Sequence, residues 1–235
     1  MASGYVLRNN GQAGEQRESD LSFVGGCPRI PASAEPPACG LCGAPMTFFF
    51  QVAFPRDHVW SGLTVAVFAC TACADESLLI PEMLPGQLHG ADIPEGFLVA
   101  YQRNFRFLVF PTEEGRLRQD IPARLVFRPW TLEPAAGMRG TMASKAGGDP
   151  DWLLDDESPR SYAKSVVMVF LMQLEEGLTF EKLPAAPPQI ILGLTGEPEP
   201  SPDPYYQLFL GNALYLFGTK RGEGVEPLVY ALTQV

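Results

Sequence analysis

Cys39-Gly40-Leu41-Cys42 and Cys70-Thr71-Ala72-Cys73 are the residues whose type and spacing specify chemistry most directly: two Cys-x-x-Cys knuckles separated by 27 residues. A tetrahedral zinc ion takes four ligands from different directions, and a two-residue spacer turns the chain tightly enough to aim two sulfurs at one ion. The small residues at positions 40, 43, 72 and 74 leave room for backbone amides to approach those sulfurs. Four thiolates leave no coordination position for water, so Cys39, Cys42, Cys70 and Cys73 predict a structural zinc site and not a catalytic one. A redox role is the alternative, but thioredoxin-like motifs use a single pair at a helix N-terminus, whereas these two pairs fall at strand ends.

The elements needed to bring the knuckles together are legible around them. Residues 46–54 and 63–69 are short, aromatic and β-branched, with Pro55-Arg56-Asp57 between them, and the midpoint of Cys42 and Cys70 is residue 56, inside that turn. A hairpin folded there returns residue 42 to the side of residue 70. Both runs are apolar on both faces, the pattern of strands covered on each side.

The hairpin belongs to a longer pattern that occurs twice. Gly25-Gly26-Cys27-Pro28 precedes Phe48-Phe49-Phe50-Gln51, and Gly147-Gly148-Asp149-Pro150 precedes Phe170-Leu171-Met172-Gln173, an ungapped match at a shift of 122 residues. The fold expected is α+β and β-rich: two pseudo-repeated antiparallel β lobes, the first carrying the zinc-knuckle hairpin. Residues 1–20 form a flexible lead-in, 21–128 the first lobe, 129–142 a connector rich in Pro, Gly and Ala, and 143–235 a second lobe without metal. That second lobe has Ser161 and Lys164 where the first has Cys39 and Cys42. A short helix is expected over 75–84, strands over 97–101, 105–110 and 124–127, and a terminal hairpin of 206–210 with 213–217 about Gly211-Asn212.

Composition bounds the function. With 46% hydrophobic and 19% charged residues the chain is globular, and a net charge of −10 with a pI near 4.7 argues against general binding to nucleic acid. A protein partner, and a basic one, suits that charge better. No apolar run approaches the roughly 20 residues of a membrane-spanning helix. Met1 to Tyr5 lacks the basic start of a secretory leader, and a cytoplasmic location with reduced thiols follows as the expectation.

Other candidates carry less. Cys27 sits where the second copy has Asp149, so neither copy needs a thiol there. His58 and His89 are the only histidines, and neither lies in a nucleophile motif. Asp151, Asp155, Asp156 and Glu157 miss the spacing of a calcium loop and read as a solvated acidic segment. Gln51 and Gln173 end equivalent apolar runs; they hydrogen-bond the neighbouring loop or contact a ligand between the lobes.

The order Gly25-Gly26-x-Pro28, Cys39-x-x-Cys42, Met46 to Gln51, His58 to Phe68 and Cys70-x-x-Cys73 resembles the N-terminal region of the programmed cell death protein 2 family. The second half is similar to the bacterial YwqG-like family through Gly147-Gly148-x-Pro150, Phe170-Leu171-Met172-Gln173 and the strand at 213–217. The resemblance implies a β-rich scaffold that binds proteins, as a cytosolic chaperone for a ribosomal protein in the eukaryotic relatives or as protection against toxins in some bacterial ones. The chain departs from the eukaryotic pattern in having no cysteine after residue 73. The function expected is a protein-binding scaffold with structural zinc, acting as a dedicated chaperone or toxin antagonist. Its rival is an enzyme working in the cleft between the lobes, with His58 or His89 as base.

Overall fold

The computed structural model describes residues 4–9, 14–135, 142–222 and 226–235. Its strands are β1 (Gly4–Asn9), β2 (Phe23–Val24), β3 (Arg29–Pro31), β4 (Thr47–Ala53), β5 (Leu63–Ala69), β6 (Asp92–Ile93), β7 (Phe105–Pro111), β8 (Gly115–Leu117) and β9 (Arg128–Pro134). They continue as β10 (Lys145–Gly147), β11 (Ser161–Tyr162), β12 (Val166–Leu174), β13 (Thr179–Glu181), β14 (Ile190–Leu192), β15 (Pro198–Pro200), β16 (Tyr205–Gln207), β17 (Ala213–Thr219) and β18 (Val229–Gln234). The α part of the expected α+β class is not met: among the described residues the one α-helix is α1 (Phe97–Ala100), and the fold is β-rich.

Ten strands follow one another in a single sheet, in the order β18-β17-β12-β10-β1-β9-β2-β4-β5-β7. Two segments expected outside the lobes are therefore its centre. Gly4–Asn9, placed in the flexible lead-in, pairs with β10 on one side and β9 on the other; Arg128–Pro134, all but its first residue placed in the connector, pairs with β1 and β2. Positions 136–141 of that connector lie outside the described residues.

The register on one side of this centre recurs on the other. Phe23 and Val24 face Gln51 and Phe50, and 122 residues later Lys145 and Ala146 face Gln173 and Met172. Each long strand carries a bulge at the same place, between Phe48 and Phe50 in β4 and between Phe170 and Met172 in β12. An extra residue in one strand turns two successive side chains to one face. Phe49 with Phe50, and Leu171 with Met172, accordingly all sit fully buried in one shared core, and the glutamine that follows each pair points the other way.

Every residue of β5 is buried, as expected of a strand covered on both faces. Its alternation divides the interior: Leu63, Val65, Val67 and Ala69 join the main core, whereas Ala66 and Phe68 pack with Ile30, Cys39, Phe48 and Phe110 in a smaller one. The main core draws from both halves, and the turn between β4 and β5 locks them. His58 Nε2 lies 3.0 Å from the Leu171 carbonyl oxygen, and Trp60 Nε1 donates to the Thr219 carbonyl at 2.9 Å.

Four local expectations fail: residues 124–127 make only an isolated bridge, Leu125 opposite Lys182, and three others fail for identifiable reasons. Over 75–84 no helix forms, because the Asp75 carboxylate accepts from both the backbone N–H (3.0 Å) and the hydroxyl (2.6 Å) of Ser77, a local turn that competes with helix initiation, and Pro81 follows. Residues 97–101 are helical and not extended: Phe97 and Tyr101 stack at i, i+4 (5.2 Å) while Leu98 enters the core. The terminal hairpin is absent: Phe209–Gly211 form a 3-10 turn closed by Asn212 N donating to Phe209 O (3.2 Å), with Phe209 at φ +50° and Leu210 at φ +63°, so residues expected at the end of the first strand are not extended. β16 pairs instead with β13, and β17 with β12 and β18.

The residues after α1 also treat the two outer strands of the sheet. The Tyr101 hydroxyl donates to Val229 O (2.8 Å) and accepts from Ala231 N (3.1 Å) on β18, while Gln102 Oε1 accepts from Phe107 N (2.8 Å) on β7. Adjacent side chains thus occupy main-chain groups on both edges, which would otherwise invite another strand.

Candidate metal centre

The hairpin places the knuckles as the spacing implied. β4 and β5 pair from Ala53 opposite Thr64 to Thr47 opposite Ala69, so Cys70 leaves β5 beside the loop that enters β4. That loop is tightened by Cys39 N donating to Ala44 O and Gly43 N to Cys39 O, both at 2.9 Å, with Gly43 at φ +73°. Gly40 donates to Arg103 O at 2.7 Å, and a Cβ there would stand 3.0 Å from that oxygen, so a larger residue would have to push the Arg103 backbone back by a few tenths of an ångström. The backbone N–H of Leu41 points at Cys39 Sγ and that of Ala72 at Cys70 Sγ, each at 3.4 Å, the amide approach expected of small knuckles.

The four Sγ atoms all lie within 4.8 Å of one another, and among the described residues no other group of three or more potential ligands converges in this way. Sulfurs at about 2.3 Å from a tetrahedral zinc are about 3.8 Å apart. Cys39 to Cys73 is 3.8 Å, Cys42 to Cys70 3.7 Å and Cys70 to Cys73 3.5 Å, so three of the cluster's six edges are close to those of that tetrahedron and the others are at most 4.8 Å. Cys39 is buried, Cys70 and Cys73 are half-buried and Cys42 is exposed. Burial pushes the metal-free Cys70 thiol up to about 11 and raises Cys73 further, whereas the Ala44 N–H holds Cys42 below the ordinary thiol range. The set can hold a metal ion, and doing so requires displacing the protons that burial favours.

Thr71, between the last two cysteines, went unnoticed in the sequence. Its hydroxyl is 2.7 Å from that of Thr47, and its carbonyl accepts from Ile190 N at 3.0 Å, tying the knuckle to β14 in the second half. Asp92 was missed for the same reason, that a lone polar residue carries no pattern. At the positions equivalent to Cys39 and Cys42, Ser161 Oγ and Lys164 N both donate to Asp92 Oδ1 (2.6 and 2.7 Å), so a carboxylate gathers the loop that thiols gather in the first half.

The two glutamines lie apart from the cysteines and do identical work. Gln51 Oε1 accepts from Arg29 N (2.9 Å) and its Nε2 donates to Leu21 O (2.9 Å). Gln173 Oε1 accepts from Asp151 N (2.8 Å) and its Nε2 donates to Ala143 O (3.3 Å), both partners again 122 residues on. Each amide is at most 1% exposed, and neither lines the cavities described below. Leucine at either position leaves a buried N–H and a buried carbonyl without partners, so Gln51→Leu and Gln173→Leu are each expected to cost about 2–5 kcal/mol in denaturant titration. Bound metal should be unchanged. A ligand whose affinity fell while stability held would instead give the amides a binding role.

The histidines are engaged elsewhere. His58 Nδ1 accepts from Trp60 N (3.0 Å), its other ring nitrogen faces the Leu171 carbonyl, and burial lowers its pKa to about 4, so it stands neutral at physiological pH. His89 is exposed beside Asp156, 3.3 Å away. The acidic segment does not converge on an ion: Asp151 pairs with Lys145 at 2.6 Å, and Glu157 accepts from Gln234 Nε2 at 2.9 Å.

Two cavities among the described residues bear on function. One of about 620 Å³ opens along the β1–β9 seam, with Arg8, Arg128, Trp130, Glu175, Glu181 and Tyr205 in its lining and no histidine or cysteine there; Arg128 and Glu181 are ion-paired. The other, about 230 Å³, lies beside Cys70 and Cys73 and extends along β14. Comparison with family models, curated proteins and solved structures returns no match for this chain.

Proposed function

We propose that this chain is a cytoplasmic protein-binding scaffold made of a duplicated β unit, one copy clipped by a structural zinc ion, serving as a dedicated chaperone or toxin antagonist. The observation that carries the reading is the convergence of four sulfurs within 4.8 Å of one another: with four thiolate donors a bound ion would have no open position for water or substrate. The shared register and bulge support the duplication, and the equivalent glutamine bonds support it independently. The resemblance to the programmed cell death protein 2 and YwqG-like families agrees with the same reading. No helix of the described residues is long and apolar enough to cross a membrane.

The enzyme reading keeps one observation in its favour, the seam cavity, whose volume falls in the range of small-molecule sites. It loses its proposed bases, since neither His58 nor His89 lines that cavity. Affinity capture from the native cell, read by mass spectrometry, separates the two. One stoichiometric protein partner is the expected result; no partner, with a small metabolite retained through purification, would overturn it.

A further inference from the structure

β14 and β15 form a two-stranded ribbon that projects beside the cysteine knuckle. Gly193 N donates to Glu197 O (2.9 Å) and Ser201 N to Gln189 O (2.7 Å), so odd-numbered residues of β14 bond across the ribbon. Ile190 and Leu192 therefore turn their main-chain groups to the opposite edge. There Ile190 N reaches Thr71 O, and among the described residues the Leu192 N–H has no acceptor. The outer edge of β15 is closed by chemistry: the residues facing Ile190 and Leu192 are Pro200 and Pro198, which have no N–H to donate. Only the β14 edge can accept another strand.

That edge borders the 230 Å³ cavity, whose floor includes Leu78, Leu208 and Phe209. Its volume is below the roughly 300–1,000 Å³ of sites that enclose a small molecule, but suits an anchoring side chain. Around it stand apolar residues without cover: Leu194 at the ribbon tip is fully exposed and Leu210 about half exposed. Within the two segments that line it the charge is one-sided. No Lys, Arg or His occurs from 183 to 219, which holds Glu197, Glu199 and Asp203, and no Lys or Arg from 57 to 102, which holds Asp75 and Glu76. The segments are flanked by Arg56, Arg103, Lys182 and Lys220, of which Arg103 is next to the lining residue Asn104, and Arg124 donates to the Thr71 hydroxyl at 3.4 Å from the side of the knuckle.

We propose that the open part of the β14 edge is a strand-addition site for an extended, basic segment of a partner protein, which pairs with the main chain of Leu192 beyond the point where Ile190 N is held by Thr71. Alternate side chains of that segment enter the apolar floor, and its lysines or arginines face Asp75, Glu197 and Glu199. The proposal rests on the protein-binding reading above.

The probe is a capped octapeptide alternating lysine and valine, followed by fluorescence anisotropy at low salt, with the glutamate–valine counterpart as control. Saturable binding of the lysine peptide is expected, at least tenfold tighter than the control. Leu192→Pro removes the open N–H without touching a bond across the ribbon, and Glu197→Lys/Glu199→Lys reverses charge at two exposed positions; each should weaken binding at least tenfold. Equal binding by the parent and the charge-reversed variant, or no saturable binding, would overturn the proposal. So would a dimer in sedimentation that Leu192→Pro abolishes, because the occupant would then be a second copy. In capture from native cells, a partner held equally by parent and both variants removes the β14 site but leaves the scaffold reading standing. Peptide binding with the expected pattern, but no captured partner, does the reverse.

Discussion

Cys39→Ser is expected to reduce bound zinc from about one equivalent to background and to destabilise the protein by at least about 3 kcal/mol, with chelation of the parent having a similar effect. Structural zinc contributes on the order of 10 kcal/mol in modules that cannot fold without it. Here the loss is bounded by what the rest of the sheet retains, because β4 and β5 are held by their own ladder and by two cores. Cys39 is the severest of the four positions: it is a ligand and also packs, buried, with Phe48, Phe68 and Ile30. Cys42→Ser, at the exposed corner, should release metal with a smaller loss of stability. The pH dependence has a definite sign. Thiols of the metal-free protein hold protons at neutral pH, Cys70 with a pKa near 11 and Cys73 raised further, so metal affinity should fall as pH falls. A local reporter exists as well, since the Ile190 amide is held by the Thr71 carbonyl inside the knuckle and should exchange faster after chelation. Metal analysis with thermal denaturation decides the matter: protein free of zinc as purified, with the same midpoint in chelator as without, would sink the structural clip.

The parts of this fold that were legible in the sequence share a cause. The cysteine spacing and the turn at Pro55 gave independent estimates of one hairpin, and the glutamines marked a polar group that a two-sided apolar strand had to satisfy. Patterns that constrain each other survive folding. The central strands β1 and β9 were not legible because their burial is poor: Arg8 and Asn9 are exposed, as are Thr131, Glu133 and Pro134, and a half-solvated strand has the composition of a loop. Their identity as strands comes from partners more than 100 residues away. Short elements were misread where local geometry decides, as over Phe209–Gly211, where a 3-10 turn interrupts the run that would have continued the first strand of a hairpin with β17.

The expected two lobes thus share more than a connector. Half of the sheet could in principle carry its own inner face, but Phe49, Phe50, Leu171 and Met172 are buried against one another's neighbours in a single cluster. The equivalence of the halves and their fusion have the same origin, a bulge that turns two large side chains inward from each long strand. A sheet with that much apolar area on one face gains most by closing over it. The cysteine cluster lies outside this shared core, behind β5, so a metal ion held there would clip one half without a counterpart in the other.

Trp60→Ala is expected to cost about 3–5 kcal/mol, the range for removing a fully buried aromatic side chain. Part of that is lost packing against Phe54, edge-on at 5.9 Å, and part is the Thr219 carbonyl left without its indole donor. Trp60→Phe, which keeps a ring but not the N–H, should cost less. The closer test lies across the interface. A Cβ on Gly218 would fall 2.2 Å from Trp60 Cζ2 and 2.7 Å from Leu171 Cδ1, both inside the core, so Gly218→Ala alone should destabilise strongly. In the double variant Trp60→Ala/Gly218→Ala the methyl enters space the indole has left. The two costs should then fall short of additivity by more than about 1 kcal/mol, the behaviour of residues that share one volume. Strict additivity in denaturant titration would mean that the indole does not seat on Gly218, and the first half would not be locked to the second through this turn.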